Sequence, residues 1–344
     1  MTADPGRTPR TGSAAGPAPR RFDPGAPDAV SVIIPTHDRA GLLARAARSV
    51  LAQTHANLEL IIADDASSDG TEAVVAALAA ADPRVRYLRA PRRGGAAAAR
   101  NLGLRAARGP LIAFQDSDDE WLLGKLEAQV AEMLANPELG ATFGAKITVG
   151  TDDAGRFGEG RARVVPGAGI VAARGAEIPD RIGQDDLVRG NLISPQTMML
   201  RAAVAGRLGG FDPRLPNNND WEYMIRLGAL APISFTRAPV VVAHVQADSI
   251  SRGARRNARS FLTILRKHEA VFARQPAALA SWYFRAGRHL EGVGRRRAAA
   301  ICMARAARLA PGAPRHWAGL ARARARSAMG GGRGDKRGSG HGGD

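Results

Sequence analysis

Cysteine is all but missing from this chain, with Cys302 alone among 344 residues. An internal disulfide and a cysteine-based metal centre are both excluded, and a single thiol suits a reducing compartment. Long hydrophobic runs are missing too: no apolar stretch approaches the roughly 18 residues that a membrane-spanning helix needs. The opening residues are rich in Pro, Gly, Ala and Arg but lack the apolar centre of a secretion signal. Residues 1–28 therefore read as a disordered leader, and the protein as cytoplasmic. Lysine is scarce beside arginine, while alanine and glycine are abundant. The base composition of the encoding genome explains that bias as readily as a binding role does.

What the chain does have is apolar material and positive charge. Hydrophobic residues make up 45% of it, enough for a real core in one large or two modest domains. The formal net charge of +17 is uneven, with arginine concentrated in Arg255-Arg256, Arg295-Arg296-Arg297, Arg322, Arg324 and Arg326. Basic tails attract nucleic acid, anionic lipid or polyanionic substrates without specifying which.

From Val30 to about Phe143, short apolar runs alternate with longer amphipathic ones. Val30–Ile34, Leu58–Ala63, Val85–Leu88 and Leu111–Phe114 are strand-like, with helical segments between them. This alternation predicts βαβ units and a parallel sheet. Residues 150–180, rich in Gly, Arg and Asp, read as an exposed insertion. Asn191–Leu200 resumes a strand pattern around Pro195, Gly209-Gly210-Phe211-Asp212 is a turn, and Asp220 opens a helix. Ile233–Phe235 and Val240–Ala243 are short strands, and from about Asn257 onward only helices are expected. Residues 284–320 read as a helical hairpin interrupted by Pro311 and Pro314, and the stretch from Gly330 as a disordered tail.

Chemistry concentrates in Asp116-Ser117-Asp118-Asp119, directly after the fourth strand. Carboxylates this close repel one another unless something positive sits between them, and a hard divalent cation suits oxygen ligands. An Asp-rich turn capping the next helix is the plainer alternative. Placement tips the balance. In parallel sheets the ligand crevice lies outside the carboxyl ends of the strands. That is where this cluster, Asp64-Asp65 and Pro35-Thr36-His37-Asp38 all fall.

Four segments then occur in order: Val30-Ser31-Val32-Ile33-Ile34-Pro35-Thr36, Asp64-Asp65-Ala66-Ser67-Ser68-Asp69-Gly70-Thr71, Ala99-Arg100-Asn101 and Asp116-Ser117-Asp118-Asp119. Together they resemble the nucleotide-sugar-binding half of the family 2 glycosyltransferases. The later Gly209-Gly210-Phe211-Asp212 and Asn219-Asp220-Trp221 resemble that family's acceptor-side signature. The resemblance implies an α/β fold of GT-A type, a doubly wound and mostly parallel sheet flanked by helices, over residues 29–255. Within it, 29–145 would form the nucleotide-sugar half and 185–255 the acceptor side. Residues 256–325 would add a helical extension, and 326–344 a disordered tail.

The resemblance also implies roles. Asp65 would accept a hydrogen bond from the donor's base, with Asp64 bracing the loop and Pro35 and Thr36 lining the pocket. Asp116 would face the ribose and Asp118 would hold Mn²⁺ or Mg²⁺ on the donor diphosphate, with Asp119 in support. Arg100 reads equally as a second counter-charge for the diphosphate or as a surface arginine. Asp220 maps to the base that deprotonates the acceptor hydroxyl, although a helix-capping role is compatible with it. The family usually has Glu before that Asp, whereas Asn219 stands here. Downstream, Gln246 occupies the register where relatives place a histidine, and His244 either joins the metal site or simply ends a strand. The implied activity is inverting transfer of one sugar from a nucleoside-diphosphate donor, UDP being favoured, to an acceptor hydroxyl of a saccharide or lipid-linked saccharide. A nucleotidyltransferase or a nucleic-acid-binding protein are the competing readings, and no specific nucleic-acid partner is expected. The basic C-terminal helices either touch anionic lipid at the inner membrane face or present a solvated basic face.

Overall fold

The computed structural model describes residues 21–149, 162–165, 170–171, 178–244 and 253–330. Side chains are described for all of these except 162–165, 170–171 and 327–330. Most of the expected leader, Gln246 and the segment after it, and the tail beyond Gly330 lie outside these residues, whereas 326–330, expected to begin the disordered tail, close the last helix. The leader's last residues are not free-standing. Asp23 N–H donates to Asn57 Oδ1 at 2.9 Å, and Asn57 Nδ2 donates to Asp28 Oδ1 at 2.9 Å.

The first half follows strict alternation: β1 (Val30–Thr36), α1 (Ala40–Leu51), β2 (Leu58–Asp64), α2 (Thr71–Ala81), β3 (Val85–Arg89), α3 (Ala96–Ala106) and β4 (Leu111–Phe114). β5 (Glu120–Trp121), α4 (Lys125–Ala135) and β6 (Ala141–Val149) follow. The expected insertion contains two strands, β7 (Ala162–Val165) on the edge of β6 and β8 (Ile170–Val171). Next come β9 (Arg181–Ile182), α5 (Gln184–Arg189) and β10 (Gly190–Asn191), which pairs with β8. The strand expected around Pro195 is interrupted. Pro195–Thr197 is a 3₁₀ turn, and β11 starts only at Met198 and ends at Arg201. α6 (Ala202–Leu208) and α7 (Asn219–Leu230) lead to β12 (Ile233–His244), where two short strands were expected. A bulge between Thr236 and Val241 keeps β12 continuous across Pro239.

The main sheet runs β3-β2-β1-β4-β11-β6-β12-β5. β1 pairs in parallel with β2 and β4, and β2 with β3. β11 is antiparallel to both β4 and β6, and β12 is parallel to β6. Two reversals restore direction, so β6 and β12 point the same way as β1–β4 and only β11 among the long strands opposes them. Every residue of β1 and β2 is buried, as expected of strands covered on both faces. Val30, Val32 and Ile34 pack against α1, α2 and α4, whereas Ile33, Ile61 and Ala63 pack towards α3, α6 and α7.

The C-terminal helices are α8 (Ala254–Lys267), α9 (Glu269–Ala273), α10 (Pro276–Gly292), α11 (Arg296–Leu309) and α12 (Pro314–Gly330). The hairpin expected over 284–320 is thus built from parts of three helices. Pro314 sits in the first turn of α12, where its missing N–H costs nothing. Phe261, Phe272, Trp282 and Cys302 join the same hydrophobic cluster as Trp221 and Phe211, so α8 to α11 share the core of the sheet domain.

Two features set testable stabilities. A methyl group on Gly103 would meet Ile33 Cγ2 at 2.4 Å, because α3 lies directly on β1. Gly103→Ala is expected to cost about 1–3 kcal/mol by overpacking, read as a lowered urea midpoint. Lys125 is 2% exposed, with Nζ donating to Gln129 Oε1 at 2.6 Å and lying 4.0 Å from the centre of the Trp121 ring. Burial pushes its ammonium down to about 7 from the usual 10.5. Between those pH values the unfolded chain binds more protons than the folded one, so stability rises with pH there. Lys125→Met is expected to abolish that rise and to gain about 1–3 kcal/mol at pH 7, as measured by denaturation across the pH range.

Candidate active site

All six co-directed strands end at one edge of the sheet, and the polar side chains gather there. Asp65 follows β2, and its N–H donates to the Thr36 carbonyl at 2.9 Å, locking together the exits of β1 and β2. The Asp65 carboxylate is 3% exposed and accepts from Gly94 N–H and Gly95 N–H, each at 2.7 Å. The acid expected to read a base thus also anchors the loop that opens α3. Each of its oxygens keeps a further lone pair. Asp64 has the bracing role expected of it, accepting from Ser67 N–H at 2.9 Å, Ser67 Oγ at 2.5 Å and Tyr87 Oη at 2.6 Å. Asp38 and Asp69 are likewise spent on the adjoining loops, through Ser68 N–H at 2.7 Å and Ala40 N–H at 3.0 Å. Thr36 Oγ1 is buried with no partner, beside Pro35 at the end of β1.

α3 carries Arg100 to the acidic cluster. The side chain is buried, which removes the surface-arginine reading. Its Nη2 donates to Asp116 Oδ1 at 2.9 Å and its Nη1 to Asn219 Oδ1 at 3.4 Å, while the guanidinium lies 5.5 Å from the centre of the Phe211 ring. Arg100 therefore links the residue before Asp220 to Asp116. Where the resemblance led to the expectation of Glu, Asn219 supplies an uncharged acceptor. The next residue along α3, Asn101, explains why two distant motifs belong together. Asn101 Nδ2 donates to the Phe211 carbonyl and Phe211 N–H donates to Asn101 Oδ1, both at 2.8 Å. Gly210 has φ +89°, and a Cβ there would lie 2.7 Å from Asn101 Oδ1. No side chain fits that approach.

Asp116 and Asp118 are half-buried, whereas Asp119 is 4% exposed. Asp119 Oδ1 accepts from His244 N–H at 2.9 Å and Oδ2 from Gln196 Nε2 at 2.9 Å, so it ties the ends of β4 and β12 to the turn before β11. Burial first, then the charges of Asp116 and Asp118, push its carboxyl up to about 7. The His244 ring pairs with Glu120 Oε1 at 2.8 Å. Arg45 reaches from α1 to the same place, its Nη2 donating to the Asp118 carbonyl at 2.7 Å and its Nε lying 3.4 Å from Glu120 Oε1. Asp220 is in the first turn of α7, not at its cap, since Asn218 occupies the capping position. Its Oδ2 accepts from Asn191 Nδ2 at 3.4 Å.

Lys146, on β6, is the residue that pattern reading missed. Its Nζ donates to Ser194 Oγ at 3.0 Å. Burial lowers its ammonium, and the charges of Asp119, Asp116 and Asp220 act to raise it again. One cation thus stands in the field of three acids from two segments, the loop after β4 and the first turn of α7. A single lysine in an ordinary strand gave no signal of this.

Among the described residues, no group of three or more His, Cys, Asp or Glu side chains forms a ready-made metal site. Two half-buried carboxylates beside a third whose proton affinity is raised match a different donor set. This set suits a divalent ion that keeps open positions for water and substrate phosphate.

Residues 31–185 match the family described as Glycosyl transferase family 2. The UDP-Glc:alpha-D-GlcNAc-diphosphoundecaprenol beta-1,3-glucosyltransferase of Escherichia coli is 45% identical over 107 residues, which is 31% of this chain and 42% of that protein. The succinoglycan biosynthesis protein ExoO of Rhizobium meliloti is 43% identical over 90 residues, covering 26% of this chain and 25% of that protein. The matches therefore span less than half the length of these relatives. TarS of S. aureus superposes with TM-score 0.54 at 17% identity, over 88% of this chain and 92% of that one. A mannosyltransferase from Pyrobaculum calidifontis, solved with GDP-Man and Mn²⁺, gives TM-score 0.55 at 20% identity, over 94% and 92%. At these identities the solved structures speak to the fold.

Lys146 competes with any cation for the same field. Lys146→Met is expected to tighten Mn²⁺ binding in the presence of UDP about 3- to 10-fold at pH 7, in titration calorimetry. An unchanged affinity would place the ammonium outside that field.

Proposed function

Since the chain is a family 2 glycosyltransferase with a GT-A fold, we propose that it transfers a single sugar, with inversion, from a UDP-sugar to an acceptor hydroxyl. The acceptor is a saccharide or lipid-linked saccharide in cell-envelope polysaccharide assembly. The observation that carries this reading is the joining of Asp116 and the residue before Asp220 by Arg100 at the carboxyl edge of the sheet. The E. coli relative, whose name gives UDP-Glc as donor and a diphosphoundecaprenol-linked acceptor, supports the choice of substrates. No helix among the described residues is long and apolar enough to cross a membrane.

The donor lies across the ends of β1, β2 and β4, its base against Asp65, Pro35 and Thr36 and its ribose towards Asp116. Asp118 would hold Mn²⁺ or Mg²⁺, while the His244 ring, a second candidate ligand, is paired with Glu120 Oε1 at 2.8 Å. When bound, such an ion would supply Lewis-acid stabilisation of the departing diphosphate. Asp220 takes the proton of the acceptor hydroxyl as its oxygen forms a bond to the anomeric carbon. The bond from that carbon to the diphosphate oxygen breaks with both electrons leaving on the nucleoside diphosphate. Arg100 keeps Asp116 oriented and adds positive charge near the leaving group. Lys146 offsets the acids while the site is empty.

Asp118→Asn is expected to abolish metal-dependent UDP binding in titration calorimetry. Asp220→Asn should leave that binding nearly intact and lower turnover by about 100-fold or more, read by release of UDP from a UDP-sugar. Normal turnover in the Asp220 variant would remove it as the base.

A further inference from the structure

Nearly all of the protein's net charge of +17 sits in one module. Residues 254–330 contain seventeen Lys and Arg against two carboxylates, Glu269 and Glu291. Within that module α8 and the corner between α10 and α11 enclose a cleft of about 310 Å³. Arg255, Arg259, Leu262 and Arg266 line it from α8, and Leu290 and Arg295 line it from the corner. The α8 residues recur every three or four positions, so they form one stripe along the helix. The opposite face of α8, with Ala258, Phe261, Ile264 and Leu265, is buried in the core. The guanidiniums are therefore presented by a fixed scaffold.

Among the described residues, no carboxylate pairs with Arg255, Arg259, Arg266 or Arg295, although thirteen other arginines are ion-paired with acids. Four like charges around one cleft repel, and an anion is what relieves the repulsion. Arginine's planar fork suits phosphate oxygens in particular. The cleft is not purely polar: Leu262 and Leu290 line it, and Val293 beside Arg295 is 39% exposed. A soluble anion or a nucleic-acid backbone has no use for that apolar lining, whereas a lipid carries its phosphate next to hydrocarbon.

We propose that this arginine-lined cleft binds the phosphate headgroup of an anionic phospholipid and so docks the protein on a membrane surface. The orientation has a consequence for the sheet edge. Asn257 of α8 accepts from Asn217 Nδ2 at 2.7 Å, and Ser260 Oγ accepts from Asn217 N–H at 3.1 Å. The docking helix is thereby bonded to the loop that leads into Asp220. A headgroup in the cleft would hold that loop close to the lipid surface. Docking does not depend on the transfer chemistry, so either can fail alone.

The test is co-sedimentation of the full-length protein with vesicles of phosphatidylcholine alone or mixed with phosphatidylglycerol. The expected result is binding only to the mixed vesicles, weakened at least about tenfold in Arg259→Gln/Arg266→Gln/Arg295→Gln. The exposed control Arg308→Gln/Arg322→Gln/Arg324→Gln removes the same charge away from the cleft and should weaken binding less than about threefold. UDP binding should be unchanged in both variants, which shows that they are folded. Equal losses in the two variants, or no binding to mixed vesicles, would overturn the proposal. So would a cleft-dependent affinity for inorganic pyrophosphate or a short DNA duplex without any for vesicles.

Discussion

Crowding of negative charge at the end of β4 is the constraint around which the rest of the molecule is arranged. Asp116, Asp118 and Asp119 occupy four consecutive positions with Ser117, and burial raises the cost of ionising Asp119 beside the other two. The fold answers with cations from elements that are otherwise unrelated: Arg100 from α3 and Lys146 from β6. It also turns the most buried acid into a clasp, since Asp119 joins β4 to β12 and to the turn before β11. The same residues that crowd the site therefore hold its walls together. The charge left uncompensated is what a divalent ion and a diphosphate would use.

α3 is the element that converts the sheet edge into a two-sided site. Its N-terminal loop is held by Asp65, its middle reaches Asp116 and Asn219, and Asn101 grips the Gly210-Phe211 turn. Phe211 then stacks on Tyr223 of α7 at 4.1 Å and meets Phe114 of β4 edge-on at 5.4 Å. The segments proposed to meet the donor and the acceptor are thus parts of one packed unit. Any shift of α3 would move both sides together, which suits a reaction that needs a donor and an acceptor aligned.

The C-terminal helices are bound into this unit by charge as well as by apolar packing. Fully buried Glu222 on α7 receives His268, Arg226 and Lys267, and Lys267 also reaches Asp212. Burial opposes ionisation of Glu222, and the His268, Arg226 and Lys267 partners outweigh it, holding the carboxyl below its usual range. The turn carrying Phe211 and the helix carrying Asp220 are therefore both tied to α8. The large basic surface lies on the far side of a helix whose inner side is fastened to the site.

The sequence alone was enough for the alternation of strands and helices, the parallel direction of the sheet and the gathering of Asp65, Asp116 and Asp118 at its carboxyl edge. These follow from periodicities of two and 3.6 residues and from loop composition, which are local properties. It was misleading where local signals conflicted, as at Pro239, where a bulge carried β12 past a residue that normally ends a strand. Only the tertiary structure decided that Asp65 also anchors α3, that Arg100 is buried, and that Lys146 faces three acids. The partners of Arg100 illustrate the reason: one is 16 positions away and the other 119. Counter-charges are chosen by distance in space, and no spacing along a chain encodes a distance that only the packing of α3, β4 and α7 creates.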